Sequence, residues 1–470
     1  MWHDYEAWGA DPHKDHPCQF AAIRTDEDLN PIGKPIDWMC QIPNDYLPHP
    51  MACLITGITP QQSLHYGMLE YEFMNKVQAE MSIPGTCSVG YNSIRYDDEL
   101  TRFSLYRNFH DPYAREWQQG NSRWDIIDLV RATYALRPEG IEWVYDEAGS
   151  PRFKLELLSQ ANDIEHLSAH DALSDVRATI GLAKKIKEAQ PKLFHFVLSL
   201  RNKHAVNQQL RLGDGVPVVH ISSKFPATHG CCSWVLPIVQ HPVNKNAVIA
   251  IDLQHSPESI LDNTAEDVRQ LLYTRQDELP KGVNRPPIKQ IHSNKCPVVA
   301  PAKTLDEQNA ERLGIDREAC LRHLDTAKQH FGALRDKLID VHSEQSQNDQ
   351  DADSALYSGG FISNADRKLC QQLLEDKPDN LSNYAARFSD TRLKTLLFRY
   401  RARNFPHTLS DEEVQKWQRH RYYKLHDASS PASIKLDEFA LQLEHLSQEY
   451  QNDAKKVAIL KNLYQYAEQL

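Results

Sequence analysis

The chain has 470 residues, of which 41% are hydrophobic and 25% are charged, and its net charge is −11 at pH 7. This length predicts about two to four domains, and the composition is that of an ordinary soluble globular protein. No apolar stretch approaches the ~20 residues that cross a bilayer, and no basic-then-apolar signal precedes Asp4, so we expect a cytoplasmic protein. The charge excludes a uniformly basic nucleic-acid coat but allows a local basic groove.

The nine cysteines are odd in number and include no Cys-x-x-Cys motif. This pattern predicts neither a disulfide framework nor a structural zinc site. It is typical of a protein that works in a reducing compartment.

The first part of the chain, residues 1–185, alternates strand-like and helix-like segments. The strand-like runs are 19–24 and 87–92, the Gly- and Pro-marked turn is 54–60, and the helical periodicity lies at 126–134 and 171–188. The mixture predicts an α/β domain with a central sheet.

The second part, residues 191–345, carries short β-like runs with helical additions. The runs are 216–221, 232–236 and 247–251, and the helices are expected around 264–273 and 305–331. This favours a small β-rich domain. The acidic, Gln-rich stretch 343–354 is typical of a linker, and the remaining domain, 349–470, is predicted to be helical.

Two carboxylates stand at the very start of the chain, in His3-Asp4-Tyr5-Glu6. Side chains alternate along a strand, so Asp4 and Glu6 share one face. Two like charges side by side repel each other unless a cation lies between them, and hard oxygen ligands suit Mg²⁺ or Mn²⁺. An Asp-x-Glu pair alone is more often a solvated strand edge, so its significance depends on the residues that follow.

A second acidic pair follows the strand-like run at 87–92, in Tyr96-Asp97-Asp98. An Asp at a helix start is commonly a cap, because it accepts hydrogen bonds from the free amides. We assign the cap to Asp98. We assign a functional role to Asp97, because Tyr96 would anchor the loop beside it.

Two overlapping His-x-x-x-x-Asp registers occur near residue 170: His166 with Asp171, and His170 with Asp175. Asp175 shares a helix stripe with apolar residues, and a carboxylate on such a face is costly unless it is paired or binds a metal. Asp171 lies off that stripe and is predicted to cap the helix. We therefore select His170 and Asp175.

In this order, Asp4-x-Glu6, Asn92-x-x-x-Tyr96-Asp97 and His170-x-x-x-x-Asp175 resemble the motifs of the DEDD exonuclease superfamily, histidine branch. Nearly the whole chain resembles its exodeoxyribonuclease I family. The stretches that carry the likeness are HDYEAWG at 3–9, the run 112–125, ALRPEGI at 135–141, RNKH at 201–204, NKCPV at 294–298 and YRARNFP at 400–406.

The resemblance implies a ribonuclease-H-like exonuclease domain, an SH3-like β-barrel domain and a C-terminal helical domain, around single-stranded DNA. The implied reaction is Mg²⁺-dependent 3′-to-5′ hydrolysis that releases 5′-mononucleotides, with a place in DNA repair and recombination. Two metal ions about 4 Å apart can activate a water and stabilise the leaving oxygen. Asp4 would bridge both ions, with Glu6 and Asp175 at one and Asp97 at the other, and His170 would take the proton from the water.

Strand binding needs basic side chains and aromatic faces. The residues that match the family's DNA path, or are expected to contact substrate, are Arg102, Tyr113, Trp117, Arg131, Arg137 and Lys154, together with Glu6 and the 54–58 turn, which would seat the terminal nucleotide. Phe109 and Trp124 are expected in the core. A second cluster (Arg392, Lys394, Arg399, Arg401, Arg403) could be a solvated face, a DNA-facing surface or an interdomain contact.

The sequence departs from the family at two places. Lys154 stands where the family has an Arg, which keeps the charge but loses the bidentate fork. Relatives have a longer segment before the Asp4 strand, so we expect a poorly paired strand start and a start codon upstream.

Other readings of the function stay open at this point. They are an exoribonuclease acting on short RNA and a non-catalytic single-strand-binding scaffold. The family also implies single-stranded DNA-binding protein as a partner, and we expect a monomer that does not contact membranes.

Overall fold

The computed structural model describes residues 1–166, 171–275, 277–344 and 350–470. Within these ranges, no helix combines the length and the apolar character needed to cross a bilayer. The chain forms two compact units: Met1–Ser122, Leu167–Arg177 and Gln347–Leu470 make the first, and Arg123–His166 and Ala178–Ser346 make the second. These units do not follow chain order, and the domain division at 1–185, 191–345 and 349–470 stays a prediction.

The first unit is built on a mixed sheet with β1 at its centre. The strands are β1 (Trp2–Ala7), β2 (Pro17–Thr25), β3 (Pro31–Met39), β4 (Cys87–Gly90) and β5 (Ser122–Asp125, of which only Ser122 belongs to this unit), in the order β3-β2-β1-β4-β5. β1 is antiparallel to β2, from Trp2 opposite Ile23 to Ala7 opposite Pro17, and Trp2 also pairs with Val89 of parallel β4. The strand is therefore paired from its second residue, so the expectation of a poorly paired start was wrong.

Four helices accompany this sheet. They are α1 (Pro50–Thr56), α2 (Pro60–Tyr66), α3 (Glu70–Met81) and α4 (Asp97–Arg107). Alternate residues of β1, Tyr5 and Ala7, pack with Phe20, Phe73 and Leu100 in one buried cluster. Burial of such side chains stabilises the fold by roughly 1.5–3 kcal/mol each, which fixes the face that β1 turns away from the core.

The second unit contains a five-stranded antiparallel sheet in the order β11-β10-β9-β8-β12. The strands of this sheet are β8 (Val218–Ile221), β9 (Cys232–Gln240), β10 (Ala247–Asp252), β11 (Ile288–His292) and β12 (Val298–Pro301), and β6 (Val144–Tyr145) and β7 (Pro151–Arg152) form a separate two-stranded sheet within this unit. Its helices are α5 (Ile126–Leu136), α6 (Leu155–Ala161), α7 (Ala172–Ala189, which begins in the first unit), α8 (Pro191–Ser199), α9 (Lys203–Leu210), α10 (Glu258–Leu261), α11 (Ala265–Tyr273), α12 (Glu307–Arg312), α13 (Arg317–Gln329) and α14 (Phe331–Val341). The strand-like runs predicted at 216–221, 232–236 and 247–251 are confirmed as β8, β9 and β10, but helices take up more of this unit than strands do, so β-rich was the wrong description of it.

The C-terminal part of the first unit is helical, as predicted. Its helices are α15 (Asn364–Glu375), α16 (Thr391–Asn404), α17 (Asp411–His426), α18 (Leu436–Glu449) and α19 (Ala454–Ala467). The linker interpretation of 343–354 is wrong for its described end, because Asp351 and Asp353 bond to Arg399 at 2.5 and 2.9 Å. Asp351 and Asp353, which the composition predicted to be solvated, instead neutralise the charge of buried Arg399.

Candidate active site

Strand β1 presents the first two carboxylates on one face. Tyr5 points into the core, so Asp4 and Glu6 on either side of it point the other way. Carboxylate oxygens of Asp4, Glu6 and Asp175 all lie within 4.8 Å of one another. The predicted alternation is confirmed, and a residue far along the chain completes the group.

Asp175 reaches this group from the first turn of α7. The Ser174 amide donates to Asp171 Oδ2 at 3.3 Å, and the Asp175 amide to the Asp171 carbonyl at 3.0 Å. Asp171 thus caps the helix, as predicted, and Asp175 is the carboxylate that joins Asp4 and Glu6. His170, the predicted proton acceptor, lies outside the described residues.

Asp97 is placed beside the cluster by the first turn of α4. Its Oδ1 accepts a hydrogen bond from the Tyr5 amide at 3.2 Å, so Asp97 is fixed to the strand that carries Asp4 and Glu6. The Tyr96 hydroxyl donates to the Gly9 carbonyl at 2.5 Å and anchors the loop, as predicted.

The cap assignment for Asp98 was wrong. Helix α4 begins at Asp97, so Asp98 is already inside the first turn. Its Oδ1 accepts from Arg115 Nη2 at 2.9 Å, and both side chains are almost fully buried. Arg115 carried no signal in the sequence, because only the fold brings it to Asp98. This buried ion pair holds the turn from which Asp97 projects.

The cluster is electrostatically unfavourable without a cation. Burial and the charges of Asp97, Glu6 and Asp175 raise the pKa of Asp4 well above its usual range. Burial and the charges of Asp175, Asp97 and Asp171 raise the pKa of Glu6 to about 9. An all-oxygen donor set of this kind fits Mg²⁺ or Mn²⁺, whose charge would offset the repulsion.

The chain's similarity to known proteins decides its family. Three family profiles match consecutive parts: Exonuclease over residues 1–183, Exonuclease I SH3-like domain over 201–344, and Exonuclease I C-terminal domain over 350–470. The exodeoxyribonuclease I of Haemophilus influenzae is 45% identical over 467 residues, which are 99% of this chain and 97% of that protein. The chain belongs to the exodeoxyribonuclease I family. It is an exonuclease with a ribonuclease-H-like, an SH3-like and a C-terminal domain.

Two solved structures of this family match over the full chain. Escherichia coli exonuclease I in complex with a dA16 oligonucleotide has a TM-score of 0.95 and 44% identity, covering 100% of this chain and 98% of that one. An SSB/exonuclease I structure with an inhibitor has a TM-score of 0.91 and 44% identity, at the same coverage.

The segment predicted to seat the terminal nucleotide, residues 54–58, contains the last residues of α1 and its C-terminal cap, Gly57. Gly57 adopts φ 73°, a left-handed conformation that costs glycine little. Leu54 and Ile58 are buried in a cluster with α18 and α19, while Ile55 is 48% exposed. The core therefore holds the turn and leaves Ile55 open to solvent.

Of the predicted DNA contacts in the first unit, Trp117 is the most open. Its side chain is 66% exposed, whereas Arg102 is 5% exposed. The Arg102 guanidinium binds Glu116 at 2.6 and 2.7 Å and lies over the Tyr113 ring at 5.3 Å. It also bonds to Tyr357 from the C-terminal domain at 3.1 Å, a contact that sequence could not reveal across 255 positions. Arg102 therefore positions its neighbours.

The predicted contacts in the second unit differ in accessibility. Lys154 is exposed at the start of α6. Arg131 is buried and bonds to Asp128 at 2.7 Å. Arg137 is half-buried, 3.7 Å from Asp306. Lys154 is thus the most accessible cation of the three.

The second basic cluster is mostly structural. Arg403 binds Asp45 at 2.7 Å, Arg401 binds Glu413 at 2.6 Å, and Arg392 binds Asp390 at 2.6 Å. Arg403 thus joins the C-terminal helices to the exonuclease domain, which is the interdomain alternative. Phe109 and Trp124, each 3% exposed, lie in the core as predicted.

Proposed function

We propose that this exonuclease degrades single-stranded DNA from its 3′ end to 5′-mononucleotides, with Mg²⁺, in DNA repair and recombination. The observation that carries the proposal is the group formed by Asp4, Glu6 and Asp175, with Asp97 tied to the Tyr5 amide. The dA16 oligonucleotide bound by the Escherichia coli relative supports a single-stranded DNA substrate.

The carboxylates have distinct roles in this proposal. Asp4 interacts electrostatically with Asp97 and with Glu6 and Asp175, so it is suited to hold two ions in common. Glu6 and Asp175 would complete one ion's ligands, and Asp97 those of the other. When bound, the two ions would supply a nucleophile at neutral pH and stabilise the leaving oxygen.

We assign the proton-accepting role to His170, on its sequence spacing and the family resemblance. A histidine has a pKa near neutrality and can accept a proton at physiological pH. We propose that seven side chains hold or position the DNA strand: Glu6, Arg102, Tyr113, Trp117, Arg131, Arg137 and Lys154. Of these, Trp117 and Lys154 have the accessibility that direct contact requires.

We also propose single-stranded DNA-binding protein as a partner and a cytoplasmic monomer as the working form. The SSB/exonuclease I structure supports the partner. Size-exclusion chromatography with light scattering, alone and with that protein, tests the monomer and the partner, and cell fractionation tests the location.

The deciding experiment uses single-stranded DNA blocked at its 3′ or its 5′ end, with Mg²⁺, beside duplex and RNA controls. Wild type should release mononucleotides only from a free 3′ end, and Asp175→Ala and an EDTA sample should release none. Cleavage of RNA in preference to DNA would replace the proposal with an exoribonuclease. Binding without cleavage would replace it with a scaffold.

A further inference from the structure

A cavity of about 230 Å³ opens between α16 and α17, outside the carboxylate site. Its lining residues are Lys394, Thr395, Phe398, Arg399, Lys416 and His420. It is smaller than the pockets that hold drug-sized ligands, so it suits one small group or the end of a larger molecule.

The fully charged side chains that line this cavity, Lys394, Arg399 and Lys416, are all positive. No carboxylate is among its lining residues, and in the described part of the chain neither Lys394 nor Lys416 has a salt-bridge partner. Nearby acids are already engaged: Glu413 binds Arg401 at 2.6 Å and Asp351 binds Arg399 at 2.5 Å. Glu413 also interacts electrostatically with Lys416, but it does not line the cavity, so two exposed ammonium groups in a chain of net charge −11 mark a local attraction for anions.

The lining also offers ring faces. Lys416 Nζ lies 4.6 Å from the Phe398 ring centroid. The His420 ring stacks on Trp417 with centroids 5.1 Å apart, and Trp417 meets Phe398 at 6.0 Å. These contacts hold the rings in a packed group, so the cavity keeps its shape without a ligand.

His420 contributes a ring face to the lining. Its Nε2 lies 3.8 Å from Asp45 Oδ2, and this interaction helps to lower the pKa of Asp45.

We propose that this cavity binds a phosphate group, outside the catalytic site, with Lys394 and Lys416 as its cationic contacts. Lysine ammonium groups bind phosphate as point charges, and aromatic rings beside them suit an attached nucleoside. The phosphate comes either from a free 5′-nucleotide or from the backbone of a DNA strand.

The test measures binding by the full chain in EDTA, which removes the metal and stops hydrolysis. The probes are inorganic phosphate, 5′-dAMP and a long 5′-labelled oligothymidylate. The variant is Lys394→Ala with Lys416→Ala, and the matched control is Lys455→Ala with Lys461→Ala, which removes two exposed lysines from α19. Thermal unfolding checks that both variants are folded.

We expect the dissociation constant for phosphate or 5′-dAMP to rise about tenfold in the variant and to stay unchanged in the control. If oligothymidylate affinity also falls, and the slope of log K against log salt drops by about 0.7 per lost contact, the strand is the source. Equal binding of all three probes by the variant and the control overturns the proposal. Because the measurement involves no hydrolysis, it is independent of whether the exonuclease proposal holds.

Discussion

The Tyr5 backbone amide donates to Asp97 Oδ1 at 3.2 Å, so the peptide between Asp4 and Glu6 is bonded to the carboxylate that begins α4. The bond couples two elements 92 positions apart in the chain. The hydrogen bond therefore fixes the position of the Asp97 carboxylate relative to β1. Any change that keeps an acceptor oxygen at position 97 should therefore keep the local structure.

Asp97→Asn is expected to remove activity and preserve the fold. The amide oxygen can still accept from Tyr5, but the negative charge that would hold a metal ion is lost. We expect the rate of mononucleotide release to fall at least about a hundredfold, since such charge stabilisation is worth several kcal/mol. A midpoint of thermal unfolding close to wild type, measured in EDTA, is the control. A variant that is active and folded would remove Asp97 from the site.

Metal-free stability should decrease as the pH rises. The pKa of Glu6 is raised to about 9 by burial and the charges of Asp175, Asp97 and Asp171, while in the unfolded chain it is near 4.5. Below the lower value both states are protonated and the shift costs nothing. Between the two values only the unfolded state ionises, so unfolding becomes more favourable by up to about 1.4 kcal/mol per pH unit.

The measurement is urea unfolding in EDTA from pH 5 to pH 9, for wild type and Glu6→Gln. The glutamine cannot ionise, so its free energy of unfolding should decrease less with pH than that of wild type. Mg²⁺ should stabilise wild type more at high pH and Glu6→Gln hardly at all. Parallel pH profiles for the two proteins would contradict the expected linkage.

Asp45→Asn should destabilise the protein strongly. Asp45 is fully buried and accepts from Arg403 at 2.7 Å and Lys424 at 2.8 Å. Burial alone would raise the pKa of Asp45, but Arg403 and Lys424 lower it well below its usual range. Without this carboxylate two buried cations lose a counter-charge, which costs roughly 3–5 kcal/mol.

The control for this prediction is Asp277→Asn, because Asp277 pairs with Arg275 at 3.2 Å on the surface. Exposed pairs contribute about 1 kcal/mol or less. Since the pKa of folded Asp45 is lowered, its contribution is present at neutral pH and is lost as the pH falls through the folded-state value. The difference between wild type and Asp45→Asn should therefore shrink in acid, as urea unfolding would measure.

These contacts also show which parts of the site could be predicted from the sequence and which could not. Asp4, Glu6 and Asp175 could be selected because strand alternation and a helix stripe are local patterns. The cap by Asp171 was predictable for the same reason. Asp98 with Arg115, and Arg102 with Tyr357, could not be foreseen, because a charged residue in sequence carries no record of a distant partner.

The linker prediction for residues 343–354 was wrong for a related reason. Composition favours a solvated linker there, but composition does not include the buried arginines that need counter-charges. Asp353 bonds to Arg403 at 2.7 Å and to Arg399 at 2.9 Å, and these pairs bury it. A polar stretch of sequence therefore predicts solvent exposure only where its charged side chains do not pair with buried, oppositely charged residues from another part of the chain.

Trp117 and Trp124 provide a matched test of strand stacking. Trp117 is 66% exposed and Trp124 is 3% exposed, seven positions further on. Trp117→Ala should weaken single-stranded DNA binding by about 1–3 kcal/mol, the contribution of a stacked base, with little change in stability. Trp124→Ala should destabilise the protein by about 3–5 kcal/mol. Fluorescence anisotropy and urea unfolding distinguish the two, and unchanged DNA affinity in Trp117→Ala would exclude its stacking role.

Lys154→Arg should strengthen substrate binding without changing the chemistry. Lys154 is exposed at the start of α6, so a longer side chain can be accommodated there, and nearby Arg152 is 3.7 Å from Asp146. A guanidinium can contact a phosphate through two parallel hydrogen bonds, whereas an ammonium acts as a point charge.

We expect KM for single-stranded DNA to fall about two- to tenfold, with kcat unchanged, because the added contact is made equally in the ground and transition states. The same exchange at exposed Lys192, Lys192→Arg, is the control for a general effect of arginine. If both variants lower KM equally, position 154 has no special contact with the strand. A change in kcat would instead show that the side chain at position 154 acts on the reacting phosphate in the transition state.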